Sequence, residues 1–175
     1  MLANQLGSSI RSDVYGLGAT LYELLTGQPP YQPPAGTGMD LRRNAPLVAV
    51  HRPNPVRDLA PHVPRTLADR LNKAIAAAPE YRYPDAGAFA AALGSLPRSS
   101  RRWHRTDEHA EHHRCWRGAR RGAEILLCAT PSNRSYSVRA VKLPHGRAIR
   151  DARANAVATD GTLPGAVRKI IKFLN

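Results

Sequence analysis

The distribution of charge and proline along the chain most constrains its fold, because both change abruptly near residue 97. The whole chain has 175 residues and a formal net charge of +13 at pH 7. Residues 1–97 contain 12 of the 15 prolines and carry a net charge of +2, whereas residues 98–175 carry +11. Such asymmetry is typical of a distinct basic segment. We therefore expect two units, residues 1–97 and 103–175, joined by a linker at 98–102.

Size and composition restrict the class of protein. The chain is 42% hydrophobic and 22% charged, which is typical of a globular protein rather than a disordered one. Its 175 residues are too few for a single enzyme domain of about 250 residues, such as a (βα)₈ barrel. No apolar run reaches the roughly 20 residues that a membrane-spanning helix needs. The amino terminus lacks the basic region of a signal peptide, so we expect a cytoplasmic location.

The first unit is expected to be mainly helical, with proline-rich connections. Ser12 is a candidate N-cap and Gly27 a candidate C-cap for a helix that is apolar on nearly every side, which is typical of a helix buried within a larger helical domain. Apolar spacing predicts an amphipathic helix over 64–75, and Pro84 marks the start of a last helix. Residues 41–50 are a further candidate, either helical or extended.

Two sequence motifs of the first unit resemble bacterial eukaryotic-like Ser/Thr protein kinases. Residues 11–18 (RSDVYGLG) and 24–31 (LLTGQPPY) resemble the central helix of the kinase C-terminal lobe, and residues 79–86 (PEYRYPDA) resemble the segment before its final helix. The resemblance covers residues 1–97. It implies a mainly α partial kinase C-lobe with central, penultimate and final helices. From the pattern of the remaining residues we expect a small α+β domain with an antiparallel sheet and a C-terminal helix to follow.

The resemblance also implies structural roles for four residues. Asp13 corresponds to the family's central-helix aspartate, which accepts hydrogen bonds from the backbone of the catalytic loop, and Thr20 and Leu24 correspond to supporting positions beneath the adenine. Arg82 corresponds to an arginine that forms a buried ion pair with the glutamate of the family's Ala-Pro-Glu motif. Because the resemblance places no residue of this chain at that glutamate, we expect Arg82 to turn to solvent or to pair with another acid.

The chain lacks motifs with which a protein kinase transfers phosphate. It contains no Gly-x-Gly-x-x-Gly loop, no His-Arg-Asp motif and no Asp-Phe-Gly motif. Phosphoryl transfer depends on the charges and the Mg²⁺ ions that these motifs position. We therefore expect no catalytic residues and no nucleotide cofactor in this chain, although a complete family member would use ATP and Mg²⁺. At most, the exposed part of an incomplete lobe would act as a scaffold or regulatory binder of protein partners.

The second unit is expected to contain a small antiparallel sheet covered by one helix. Residues 124–130 and 135–143 are predicted to be strands, and a third strand is expected to begin at Ala148 after a turn. Residues 163–174 form a predicted basic amphipathic helix. Residues 103–122 are dense in arginine and histidine, and we assign them no element.

Two histidines and two cysteines of the second unit have the ligand atoms that tetrahedral zinc prefers. They are His109, His112, Cys115 and Cys128, with His113 as an alternative to His112. The spacing His-x₂-His-x₂-Cys-x₁₂-Cys differs from that of standard zinc fingers, so solvated histidines with two free thiols, or a disulfide under oxidising conditions, are competing interpretations. Nothing places a base and an oxyanion donor beside either thiol, which argues against nucleophilic catalysis.

Basic residues interleaved with tryptophans indicate an alternative function, a basic module in residues 98–175 that binds nucleic acid or an acidic protein. The candidate anion-binding residues are Arg101, Arg102, Arg105, Arg114, Arg117, Arg120 and Arg121. Acidic residues at positions 107, 108 and 111 dilute this charge, and no named nucleic-acid-binding motif accompanies it. Binding of this kind is expected to weaken steeply with salt.

Overall fold

The computed structural model describes residues 9–31 and 52–175, so the candidate element at 41–50 lies outside the described residues. The chain divides into two compact units, residues 1–56 with 65–96, and residues 57–64 with 97–175. The helices are α1 (Ile10–Thr26), α2 (Val56–Leu59), α3 (Arg65–Ala74), α4 (Ala86–Gly94) and α5 (Leu163–Leu174). The strands are β1 (Arg102–Thr106), β2 (Arg114–Arg120), β3 (Ala123–Ser132), β4 (Ser135–Leu143), β5 (Arg147–Ala148) and β6 (Asn155–Ala158).

Helix α1 has well-defined caps at both ends. The N-cap is Ser9, whose hydroxyl accepts a hydrogen bond from the Ser12 amide at 3.2 Å. At the other end, Gly27 is left-handed, with φ of 79°, and its amide donates to the carbonyl of Glu23, as helix-ending glycines do. The predicted C-cap is therefore confirmed. The predicted N-cap is wrong, because Ser12 lies inside the first turn and Ser9 caps the helix instead.

The helices of the first unit pack around a small apolar cluster. Val14 of α1 and Ala74 of α3 are fully buried in it, together with Tyr83 and Phe89. The rings of Tyr83 and Phe89 lie 5.2 Å apart in a tilted arrangement, within the range in which aromatic pairs attract. This cluster joins α1, α3 and α4 into one unit.

Only one face of α1 is buried, so the expectation of a helix enclosed on nearly every side is wrong. The buried residues Val14, Gly18 and Tyr22 are spaced by four, which places them in one row along the helix. The large apolar side chains of Ile10, Leu17 and Leu24 are exposed. Sequence periodicity did not separate these faces because both contain apolar or small residues.

Gly18 lies where α1 meets the end of α3, and a Gly18→Ala substitution is expected to destabilise this unit. A Cβ atom at position 18 would lie 2.8 Å from Cγ2 of Ile75 and 2.9 Å from Cβ of Ala74, closer than carbon atoms pack. Overpacking of this kind costs about 1–3 kcal/mol, which exceeds the gain of up to about 1 kcal/mol that alanine brings to a helix.

Gly16 supplies the matched control, because a Cβ atom there meets nothing within 4 Å. Gly16→Ala should therefore stabilise the helix by up to about 1 kcal/mol. Urea titrations followed by far-ultraviolet circular dichroism compare the two variants with the natural chain. Equal midpoints for both variants would contradict the close packing of α1 on α3.

The second unit is built on an antiparallel sheet of six strands. The strand order is β1-β2-β3-β4-β5, and β6 also pairs with β4. In the β2–β3 pair, Cys115 lies directly opposite Cys128, and Trp116 directly opposite Leu127. No helix in the described part of the chain is long and apolar enough to cross a membrane.

The two faces of this sheet have separate apolar clusters, because successive side chains of a strand point to opposite faces. On one face, Trp116 and Leu127 pack with the buried residues of α5 in the large core. On the other face, Leu126 forms a smaller cluster with Cys115 and Cys128. Both cysteines therefore lie on the face that α5 does not cover.

The predicted fold class, a mainly α partial kinase C-lobe followed by a small α+β domain, is wrong. The described residues contain five α-helices and a six-stranded antiparallel sheet, so the chain is not mainly α. The strands predicted over 124–130 and 135–143 and the helix over 163–174 are present. The difference arises in residues 102–120, which contain β1 and β2 and are rich in arginine and histidine.

Candidate metal centre

Four side chains with metal-binding atoms converge on the face of the sheet opposite α5. Cys115 lies on β2 and Cys128 on β3, directly across from each other. His109 and His112 lie in the loop between β1 and β2, residues 107–113, which we call the histidine loop. One ligand atom from each of these four residues lies within 4.8 Å of the other three. The fold thus brings together the two histidines and two cysteines that the sequence indicated.

Backbone hydrogen bonds fold the histidine loop over the cysteines. The amide of His112 donates to the carbonyl of His109 at 3.3 Å, which closes a turn, and the rings of these two residues lie 4.4 Å apart. The amide of His113 donates to the carbonyl of Ala129 on β3 at 3.0 Å, which ties the end of the loop to the sheet. His113 itself is outside the cluster, and its ring stacks on Tyr136 at 4.6 Å.

Arg117, a candidate anion-binding residue, instead connects the histidine loop to β3. Its guanidinium donates to the Glu108 carboxylate at 2.6 Å and to the Glu124 carboxylate at 3.3 Å. Glu108 lies in the loop, whereas Glu124 lies on β3, diagonally across from Arg117 on the same face. Opposite charges at these diagonal positions of a hairpin were the available sequence signal for this contact.

Three of the distances among the ligand atoms are close to those of a tetrahedral zinc site. Zn–S bonds of about 2.3 Å and Zn–N bonds of about 2.05 Å place sulfur and nitrogen about 3.6 Å apart. The Cys115 sulfur lies 3.7 Å from Nδ1 of His109 and 3.4 Å from Nδ1 of His112, and the Cys128 sulfur lies 3.5 Å from Nδ1 of His109. The two sulfur atoms are 3.0 Å apart and would separate by about 0.8 Å on binding.

Burial controls the protonation of the two sulfur atoms. Cys115 is 1% exposed and Cys128 is 8% exposed. Burial is the largest cause that raises the pKa of each thiol above its usual range. Because the thiolate is the form that ligates metals, a cation must displace these protons.

The candidate anion-binding arginines have different surroundings. Arg101 is 8% exposed and donates to the carbonyls of Leu174, Gly118 and Ala123, and Arg117 is engaged with its two glutamates. Arg120 donates to the Asn175 carbonyl, Arg114 is half-buried, and Arg102, Arg105 and Arg121 are exposed. The most buried of these guanidinium groups therefore holds the end of α5 against β2 and β3.

The residues implied by the kinase resemblance lie in the first unit. Asp13, Thr20 and Leu24 are exposed on α1, and the Thr20 hydroxyl donates to the carbonyl of Gly16 at 3.0 Å. None of these three side chains belongs to the apolar cluster beneath α1.

Arg82 was expected to turn to solvent or to pair with another acid, and it does neither. Its guanidinium donates to the carbonyls of Ala76 at 2.7 Å, Ala77 at 2.8 Å and Arg11 at 3.2 Å. It also lies 4.8 Å from the centre of the Tyr15 ring, within cation–π range. Backbone carbonyls and an aromatic face therefore surround the charge where the resemblance implied a carboxylate.

Comparison with known proteins gives two partial similarities to bacterial kinases. No family model and no solved structure matches the chain. The chain is 41% identical to the tyrosine-protein kinase MasK of Myxococcus xanthus over 83 residues, which is 47% of this chain and 12% of that protein. It is 29% identical to the serine/threonine-protein kinase PknD of Chlamydia caviae over 113 residues, which is 63% of this chain and 11% of that protein. The chain thus contains a kinase-like segment that corresponds to about one eighth of either kinase or less.

Proposed function

We propose that residues 97–175 form a structural zinc unit in the same polypeptide as the kinase-like segment. His109, His112, Cys115 and Cys128 would hold one Zn²⁺ in a tetrahedral arrangement. The observation that carries this proposal is the set of three sulfur–nitrogen distances of 3.4–3.7 Å, close to the edge of a zinc tetrahedron. Thiolate and imidazole ligands favour zinc over Mg²⁺ and Ca²⁺, which prefer oxygen.

The ligand set indicates a structural role for the cation rather than a catalytic one. Catalytic zinc sites keep one coordination position for water or substrate, whereas four protein ligands close the site. Two of the ligands lie on neighbouring strands and two lie in the histidine loop. The cation would therefore fix the loop on the face of the sheet that α5 does not cover.

The metal content of the purified protein tests this proposal. The full chain should contain one equivalent of zinc by inductively coupled plasma mass spectrometry. When Co²⁺ replaces zinc, the protein should show the visible absorption of tetrahedral thiolate coordination. Cys128→Ser should lower the zinc content severalfold, because it removes a thiolate ligand. His113→Ala should retain it, because His113 is adjacent in sequence but outside the cluster. Equal metal content in the two variants would contradict the assignment.

We further propose that residues 1–97 are the kinase-related part and that this polypeptide alone does not transfer phosphate. The absence of the Gly-rich, His-Arg-Asp and Asp-Phe-Gly motifs from the sequence supports this view, since these motifs hold ATP and Mg²⁺. A role in binding protein partners remains for this segment. Purified protein incubated with radiolabelled ATP and general substrate proteins should show no incorporation above a heat-inactivated control, and signal above that control would contradict the proposal.

The alternative function, binding of nucleic acid or an acidic protein by residues 98–175, has less support from the structure than from the sequence. Arg101 and Arg117 already donate to acceptors within the protein. Because residues 98–175 contain other basic side chains, this alternative stays a prediction. Measuring binding at several salt concentrations tests it.

A further inference from the structure

Cys115 and Cys128 are placed so that they can bond to each other as well as to a metal ion. They are direct partners in adjacent antiparallel strands, and their sulfur atoms are 3.0 Å apart. Directly opposite residues have Cα atoms about 4.5–5.5 Å apart, within the range of about 4.4–6.8 Å that disulfides span. The two sulfur atoms would have to approach each other by about 1 Å for a bond between them to form. They are also the only two cysteines in the chain.

We propose that the metal centre is redox-regulated, and that hydrogen peroxide converts the cysteine pair into a disulfide, expels the cation and frees the histidine loop. This inference rests on the proposed zinc site. The strand register that builds the metal centre also supports this inference. It places the two cysteines on paired strands, whereas the two histidines lie in the histidine loop. Oxidation bonds the two cysteines to each other, so that only the two histidines of the histidine loop remain as metal ligands.

The difference in burial indicates the order of the two steps. As whole residues, Cys128 is 8% exposed and Cys115 is 1% exposed, so we assign the first reaction with peroxide to Cys128. The Cys128 thiolate attacks one peroxide oxygen, the O–O bond breaks, and a sulfenic acid forms while the hydroxide that leaves takes up a proton. The Cys115 thiolate then attacks the sulfenic sulfur, the S–O bond breaks, and the second hydroxide also becomes water.

The overall change consumes two thiolates, one hydrogen peroxide and two protons, and it yields one disulfide and two water molecules. The sulfurs lose two electrons and the peroxide gains them. Because ligation requires the thiolate form, two of the four metal ligands are lost in the same event. Two imidazoles alone bind zinc far more weakly, so Zn²⁺ leaves for solvent.

Titration of the zinc-loaded full chain with hydrogen peroxide tests this inference. Zinc release is followed with a colorimetric chelator, and the state of the two cysteines is read by peptide mass mapping. We expect one zinc released for each Cys115–Cys128 disulfide formed, and recovery of zinc binding after treatment with dithiothreitol and added zinc. His113→Ala should respond as the natural chain does.

Failure of this inference is distinguishable from failure of the zinc site itself. Zinc that is released while the cysteines become sulfinic acids, zinc that stays bound at peroxide concentrations that oxidise free thiols, or disulfides that link two chains would each overturn the redox step and leave the zinc site standing. A purified protein that contains no zinc and takes up no Co²⁺ would instead overturn both.

Discussion

His112→Ala is expected to lower the melting temperature of the sheet unit by about 15–30 °C when zinc is present. At a free zinc concentration a thousand times Kd, binding stabilises the folded state by about 4 kcal/mol, and in a domain of this size each kcal/mol shifts the melting temperature by about 4–8 °C. His112 is only half-buried in the loop, so its removal disturbs the apolar core little. The loss should therefore come from the metal.

A chelator separates the metal contribution from ordinary packing. With an excess of chelator, the natural chain and His112→Ala should melt within a few degrees of each other, because neither retains zinc. The control His113→Ala should melt like the natural chain in both conditions. Tryptophan fluorescence is the measurement, since Trp103 and Trp116 both lie in this unit. A large difference between His112→Ala and the natural chain that persists in chelator would contradict a metal-based effect.

Trp116→Ala is expected to destabilise the same unit by about 3–5 kcal/mol, the usual cost of truncating a buried aromatic residue. Trp116 is 1% exposed and lies opposite Leu127, which is fully buried, in the core beneath α5. Domains of this size have only about 5–15 kcal/mol of stability, so much of the population would unfold under mild denaturant.

The measurement for Trp116 is a urea titration followed by far-ultraviolet circular dichroism, with Trp116→Phe as the matched variant. Phenylalanine keeps an aromatic ring in the core and should cost less than half as much as alanine, because the cavity left is smaller. A loss below about 1 kcal/mol for Trp116→Ala would show that the sheet and α5 do not share the core described for them.

The elements that were predicted correctly in the second unit are those with an uninterrupted apolar pattern. Leu127 and its neighbours mark β3, and the spacing of Val167 and Ile170 marks α5. Strands β1 and β2 were missed because their exposed positions carry arginine or histidine and two of their partly buried positions, Arg114 and Arg117, carry arginine. Arg101, assigned to a linker, shows the same difficulty, since its charge hides a buried position that three backbone carbonyls satisfy.

The ligand set of the metal centre was predictable from residue types, whereas its geometry depends on a turn. Strands β2 and β3 are joined by Arg121 and Gly122, which have φ angles of 46° and 79°. A two-residue hairpin with positive φ at both positions fits the twist of the strands and fixes their register. Gly122 was the available sequence signal for this turn, since arginine is not among the residues that favour positive φ.

The roles implied by the kinase resemblance were less predictable, because they depend on partners that sequence does not name. Arg82 was expected to turn to solvent or to pair with a carboxylate, and three backbone carbonyls surround it instead. Every residue has a carbonyl, so no sequence pattern distinguishes the ones that will accept from an arginine. The exposed position of Leu24 on α1 has a similar origin, since which face of an apolar helix is covered depends on the packing of distant segments.

Because β2 and β3 are joined by a short turn, the metal centre depends on the number of residues between its two cysteines. Twelve residues separate Cys115 from Cys128, and the pairing of these two positions follows from a turn of two residues. If one residue were inserted and the turn still had two residues, Cys115 would lie opposite a residue whose side chain points toward α5, because the faces of a strand alternate. The ligands would all remain in the sequence, yet the two sulfurs would no longer share a face of the sheet. A search for related metal centres should therefore require the length of this hairpin as strictly as it requires the cysteines.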